Sequence, residues 1–310
     1  MEIDLHEVGI PFKSELTASI PETLIPKELI TGALISATGA TRCRLEYKEA
    51  VNHGSYGYIQ RVLRDGVSCV CKRPLRSGES FASEAIIQLL AGRTLELKGI
   101  YSAVPKVLDI YRYVSETRFT MEFIGGRSAL EEIFESPDPD TTLLQVLAQT
   151  CLLLAILEET IHLDHRDLKM TNLWIRKVAV NYRVHIGASI WTIAAPFQVV
   201  ILDFGFACIG DGFGKTIVNL GDVIPDMDPC PKDGRDLYQC IMSLLSVEKV
   251  KQRLTTETRA MLQSWVGAIG SLTWTYLITA HPRFRLLNLR PMNLLLTLSQ
   301  LGGHIALNEA

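Results

Sequence analysis

Two groups of polar side chains in this 310-residue chain have types and spacings that can do chemistry. In DHRDLKMTNLWI, His165, Arg166 and Asp167 are followed by Lys169, and the amide of Asn172 comes five positions after the aspartate. Thirty-one positions beyond Asn172, VVILDFGFACI puts Asp203 at the end of a continuous apolar run, with Phe204 and Gly205 after it. A hard carboxylate at such a strand end can hold magnesium, and a glycine next to it lets the chain turn sharply. Upstream, CVCKRPL carries Lys72 in an otherwise apolar strand, where a lone ammonium is costly without anionic partners. Each residue alone has a bland explanation: a snorkelling lysine at 72, a solvated glutamate at 84, a turn residue at 203, scaffolding at 165 and 166. Their order along the chain argues for more.

DHRDLKMTNLWI resembles the catalytic loop of protein kinases, HRDLKxxN, and LDFGF resembles their DFG motif. The resemblance implies a serine/threonine protein kinase that transfers the γ-phosphate of ATP to a protein hydroxyl. Asp167 would be the catalytic base, Lys169 would neutralise charge on the transferring phosphate, and Asn172 and Asp203 would ligate Mg2+. Lys72 becomes the α/β-phosphate ligand, paired with an acidic residue early in the next helix. Glu84 in ASEAIIQLL fits best and Glu79 is the alternative. NHGSYGYIQRV resembles the glycine-rich loop, with Asn52 at the first glycine position, Gly54 and Gly57 retained, and Ile59 over the adenine. FTMEFIGG resembles the segment that joins the lobes, which makes Met121 the back of the adenine pocket and Glu122 to Ile124 the hinge. In GRDLYQCIMSLL, Asp236, or failing it Asp233, would brace the catalytic loop.

The elements that must position these residues follow from apolar periodicity. Residues 1–44 carry three prolines and no sustained period, and read as an extension on the surface. Residues 45–124 read as an antiparallel sheet with an Asp65-Gly66 hairpin, one helix beginning near Ser80 or Ser83, and two further strands in VPKVLDIYRYV and TRFTMEFI. After Gly125-Gly126 the period turns helical, with a long helix over 143–163, short strands between 172 and 203, and successive helices to the end at 310. The expected fold class is α+β. It has two lobes like a protein kinase: a small antiparallel β lobe with one helix, then a larger, mainly helical lobe.

Two stretches depart from the resemblance. The interval from Asn172 to Asp203 is long and predicts an added strand pair, a trait similar to divergent kinases of large DNA viruses and microbial eukaryotes, with some likeness to haspin. The segment from Phe206 to Asp236 lacks APE and is rich in Gly and Pro. Its one hydroxyl is Thr216, which Arg166 could pair with if it were phosphorylated. These departures keep two rivals open: a pseudokinase acting as a nucleotide-binding or scaffold protein, and a kinase of small molecules.

Charge is nearly balanced, 31 Lys+Arg against 34 Asp+Glu, with no long run of one sign, so nucleic acid and membrane surfaces are not expected partners. The seven cysteines are scattered and read as reduced thiols, with Cys69 and Cys71 as buried strand residues. The first residues lack the basic-then-apolar order of a signal peptide. The apolar stretch 186–202 is broken by Gly, Ser, Thr, Pro and Gln and reads as two strands and a turn. A soluble, intracellular enzyme with ATP and Mg2+ as cofactors and a protein substrate is expected.

Overall fold

The computed structural model describes residues 2–4, 14, 18, 20, 23–24, 42–53, 57–76, 78–220, 228–267, 271–301 and 305–309. The fold is mixed α+β, with a curled antiparallel sheet in the N-terminal part and a helical C-terminal part. The chain divides into two compact units, Met1–Arg93 with Val104–Ile124, and Thr94–Ala103 with Gly125–Ala310. Most of the extension at 1–44, together with Gly54, lies outside the described residues.

In the first unit, β1 (Glu2–Asp4), β2 (Arg42–His53), β3 (Gly57–Arg64), β4 (Val67–Pro74), β5 (Val107–Tyr113) and β6 (Glu116–Glu122) form one sheet in the order β1-β2-β3-β4-β6-β5. The β3–β4 hairpin turns at Asp65 and Gly66, both at positive φ, the backbone that a two-residue turn of this hand requires. Leu45, Val62, Cys69, Cys71 and Tyr111 make a fully buried cluster on one face. The strand cysteines are thus core residues, as expected. Beside them the buried Asp109 accepts from Arg64 (2.8 Å) and from Thr120 (2.8 Å), so the charge that enters this core is paired. The helix α1 (Ala82–Leu97) opens on Ser80, whose hydroxyl accepts from the Ala82 N–H, and buries Ile86, Ile87 and Leu90.

The second unit begins with β7 (Arg127–Ser128) and α2 (Ala129–Glu135), whose Ser128 and Glu131 form a reciprocal capping box. The long α3 (Pro139–Ile161) starts four residues earlier than its apolar period indicates, because Asp138 caps it and Pro139 supplies a first residue with preset φ. By length and composition α3 could cross a membrane, but 83% of its most apolar window is buried within the protein, which is compatible with a soluble chain.

After it come β8 (Leu163–Asp164), β9 (Leu173–Arg176), β10 (Val180–Ile186), β11 (Ser189–Ala195), β12 (Gln198–Ile201), β13 (Cys208–Gly210) and β14 (Thr216–Asn219). The helices α4 (Arg235–Leu245), α5 (Glu248–Lys251), α6 (Thr256–Val266), α7 (Leu272–Ala280) and α8 (Pro291–Leu301) follow, then β15 (Ile305–Glu309). The apolar stretch 186–202 is the β10–β11 turn, β11, a bend at Pro196 and Phe197, and β12. Gln149 of α3 fixes the start of β12: its amide donates to the Phe197 carbonyl (3.0 Å) and accepts from the Val199 N–H (2.9 Å). β10 and β11 form the added hairpin expected between 172 and 203, and β15 joins its edge, a third strand that the sequence pattern did not signal.

Candidate active site

The loop between β8 and β9 is held mainly through one carboxylate. Asp236, in the first turn of α4, accepts the N–H of His165 (2.7 Å) and of Arg166 (2.8 Å). Two consecutive peptide groups aimed at one side chain bend the loop sharply, and Arg166 sits at φ 65, a backbone that non-glycine residues adopt only when their surroundings impose it. Burial and the neighbouring Asp164 push the Asp236 carboxyl well above the usual range. The His165 ring bonds the Leu202 carbonyl (2.9 Å) and lies against Phe204, and its burial lowers its proton affinity. Further along, Met170 N–H donates to Ser243 (2.9 Å) and Leu202 N–H to the Asn172 carbonyl (2.8 Å), which ties the loop to α4 and to the end of β12.

This scaffold presents Asp167, whose carboxylate collects three donors. Oδ2 accepts from Lys169 Nζ (3.0 Å) and Asn172 Nδ2 (3.3 Å), and Oδ1 accepts from the Tyr276 hydroxyl. Asn172 Nδ2 also donates to the Asp167 carbonyl (2.9 Å), so amide and carboxylate sit within one tight turn. Asp203 follows β12 at φ 63 and is half-buried. Asn172 and Asp203, adjacent through the Leu202 to Asn172 bond, offer an amide oxygen and a carboxylate, hard donors of the kind magnesium takes alongside phosphate and water. Among the described residues no cluster of three or more His, Cys, Asp or Glu has the form of a self-sufficient metal cage.

In the first unit Lys72 pairs with Glu84 at 2.5 Å, both buried, with the ammonium over the Phe81 ring. Glu84 lies in the first turn of α1, whereas Glu79 is exposed outside that helix. Ile59 stands opposite Lys72 across β3 and β4. Gly57 is needed for space: a Cβ there would lie 2.8 Å from Phe81 and 2.9 Å from the Arg73 carbonyl. Met121 sulfur accepts from Gln88, Glu122 N–H donates to the Lys106 carbonyl, and Ile124 is buried.

Several features of the second unit were not anticipated. Tyr276 reaches Asp167 from 109 residues away, on a helix whose sequence carries no motif. Burial and the carboxylates of Asp167 and Asp203 keep its proton firmly on oxygen. The expectation of reduced cysteines is corrected for two of them, because Cys208 and Cys230 form a disulfide that closes the Gly- and Pro-rich segment, while Cys69, Cys71, Cys151 and Cys240 are buried thiols. Buried Asp228 in that segment pairs with Lys232 (2.7 Å), Arg235 (2.5 Å) and Arg166 (3.7 Å). Arg166 therefore already faces a carboxylate and the Asn219 amide, and the Thr216 hydroxyl donates to the Asp228 carbonyl (2.5 Å). Asp233, the other candidate brace, pairs instead with Arg285 and Arg290. No protein-family model and no curated protein matches the sequence.

Proposed function

We propose that the chain is an ATP-dependent serine/threonine protein kinase. The observation that carries this is the Asp167 carboxylate, braced from behind by Asp236 and gathering an ammonium, an amide and a hydroxyl. An aspartate so placed can accept the proton of an attacking hydroxyl. Lys169, 3.0 Å from it, supplies positive charge where a transferring phosphoryl group accumulates negative charge. The buried Lys72–Glu84 pair supports the same function, since an ammonium held by a carboxylate in a strand is a ready phosphate ligand. Asn172 and Asp203 would hold Mg2+, which when bound neutralises phosphate charge.

The Tyr276 hydroxyl on Asp167 favours a second reading, a nucleotide-binding protein of the same architecture that performs no transfer. Incubating the purified chain with magnesium, γ-labelled ATP and a mixture of basic proteins separates the two. Label on serine or threonine is the expected result. Magnesium-dependent ATP binding without any label on protein would give the second reading its place, and a metabolite screen would then test small hydroxyl acceptors.

A further inference from the structure

The carboxylate that the proposed reaction needs as proton acceptor already holds a hydroxyl. Tyr276 donates to Asp167 Oδ1, while the loop's own Lys169 and Asn172 both use Oδ2. The division is chemically informative. The two Oδ2 donors are nitrogen groups from the same turn, whereas the Oδ1 donor has the functional group of an acceptor and comes from a separate helix. A serine or threonine that gives its proton to Asp167 must donate a hydrogen bond of the same kind, and on Oδ1 it meets a lone pair that the Tyr276 hydroxyl already holds.

The anchoring of α7 indicates that this contact is built in. Ser271 caps the helix on the Trp274 N–H (3.2 Å), the buried Thr279 accepts from Gln239 of α4 (3.1 Å), and the Thr279 carbonyl accepts from Lys232 (2.8 Å). Lys232 is the cation that also holds Asp228, so the helix bearing Tyr276 shares an anchor with the disulfide-closed segment. The ring itself is only half-buried, and Trp274 and Leu277 on the same helix are exposed. Tyr276 is thus not enclosed on all sides.

We propose that Tyr276 is an acceptor-selecting residue: its hydroxyl occupies the acceptor position at Asp167, and a protein substrate gains access by displacing it. This rests on the kinase function proposed above. The tyrosine then weakens acceptor binding without touching the nucleotide, and discriminates against acceptors too small or too weakly held to displace a charge-assisted hydrogen bond.

The test uses the whole chain, wild type and Tyr276→Phe, which keeps the ring and removes the hydroxyl. With Mg-ATP and purified histone as acceptor, the variant should show kcat/KM for histone raised about 10-fold or more, through KM, with KM for ATP unchanged. A low-field hydroxyl proton resonance should be present in the wild type and absent from the variant, independently of turnover. Equal or lower kcat/KM for histone in Tyr276→Phe, with the wild type active, overturns this inference and leaves the kinase function standing. Absence of the resonance from the wild type does the same. If neither chain labels histone or any member of the mixture of basic proteins, the kinase function falls and takes this inference with it.

Discussion

The loop at 164–172 and the described part of the segment at 206–236 are both buried in part and both carry several charges, and each has its own means of support. The loop is organised by hydrogen bonds to its own backbone: Asp236 accepts two successive N–H groups, Ser243 accepts a third, and Asn172 closes the turn on the Asp167 carbonyl. The segment has its own backbone pairing of β13 with β14 and β8, and adds a covalent bond between Cys208 and Cys230 and ion pairs converging on Asp228. Successive peptide groups donating to one side chain constrain the backbone of the loop at each residue, whereas a cross-link and a charge cluster tie the segment between distant points. The comparison is between a loop pinned at successive peptide groups and a segment tied across its ends.

The largest stability effect is expected from breaking the charge cluster. Asp228→Ala leaves Lys232, Arg235 and Arg166 buried without their shared carboxylate and should cost about 3–5 kcal/mol in denaturant unfolding. A loss below about 1 kcal/mol would mean that the cluster does not hold the segment. Next, Cys208→Ser, or reduction, should cost about 3 kcal/mol from the freedom regained by a loop of 22 residues. Unchanged melting under reducing conditions would remove the covalent half of the comparison. Asp236→Ala is expected to cost about 2–3 kcal/mol, since it strands two buried N–H groups, and unlike Cys208→Ser it should also abolish transfer because it frees the loop.

The smallest effect is on pH dependence. His165 binds its proton less tightly when folded than its ordinary value of 6.5, so as pH falls through that value the unfolded chain takes up more protons and stability drops. Asp236 opposes this, because its raised affinity means that the folded chain holds a proton more firmly as pH falls toward the ordinary carboxyl value of 3.8. Replacing His165 with Gln, which can still donate to Leu202, should flatten the loss of melting temperature between about pH 7.5 and about pH 5.5. An identical slope in both chains would show that His165 does not titrate differently on folding.

How far these regions were legible follows from how they are held. The Asp167–Asn172 turn could be read directly, because its groups meet within five residues, and so could the Asp65-Gly66 hairpin, whose backbone is dictated by residue type. Lys72 and Glu84 were within reach, since a single strand-to-helix connection separates them. Tyr276 was not: it lies on an apolar helix among Trp274, Leu277 and Ile278, and no periodicity marks which face meets an aspartate 109 residues earlier. The disulfide and the Asp228 cluster escaped for the same reason. Scattered cysteines without paired spacing do not announce a partner, and nothing in the Pro-rich stretch marks Asp228 as the point where three cations converge. The strand β15 was hidden by its distance from the hairpin edge it joins.

The proposed function turns on Asp167 as the proton acceptor, and the most direct measurement is the initial rate of phosphoryl transfer from Mg-ATP to protein by wild type and Asp167→Asn at matched nucleotide occupancy. Loss of a positioned general base predicts a rate lower by about 10²- to 10⁴-fold with Mg-ATP binding retained. Equal rates in the two chains would contradict it and would move the chemistry away from this loop.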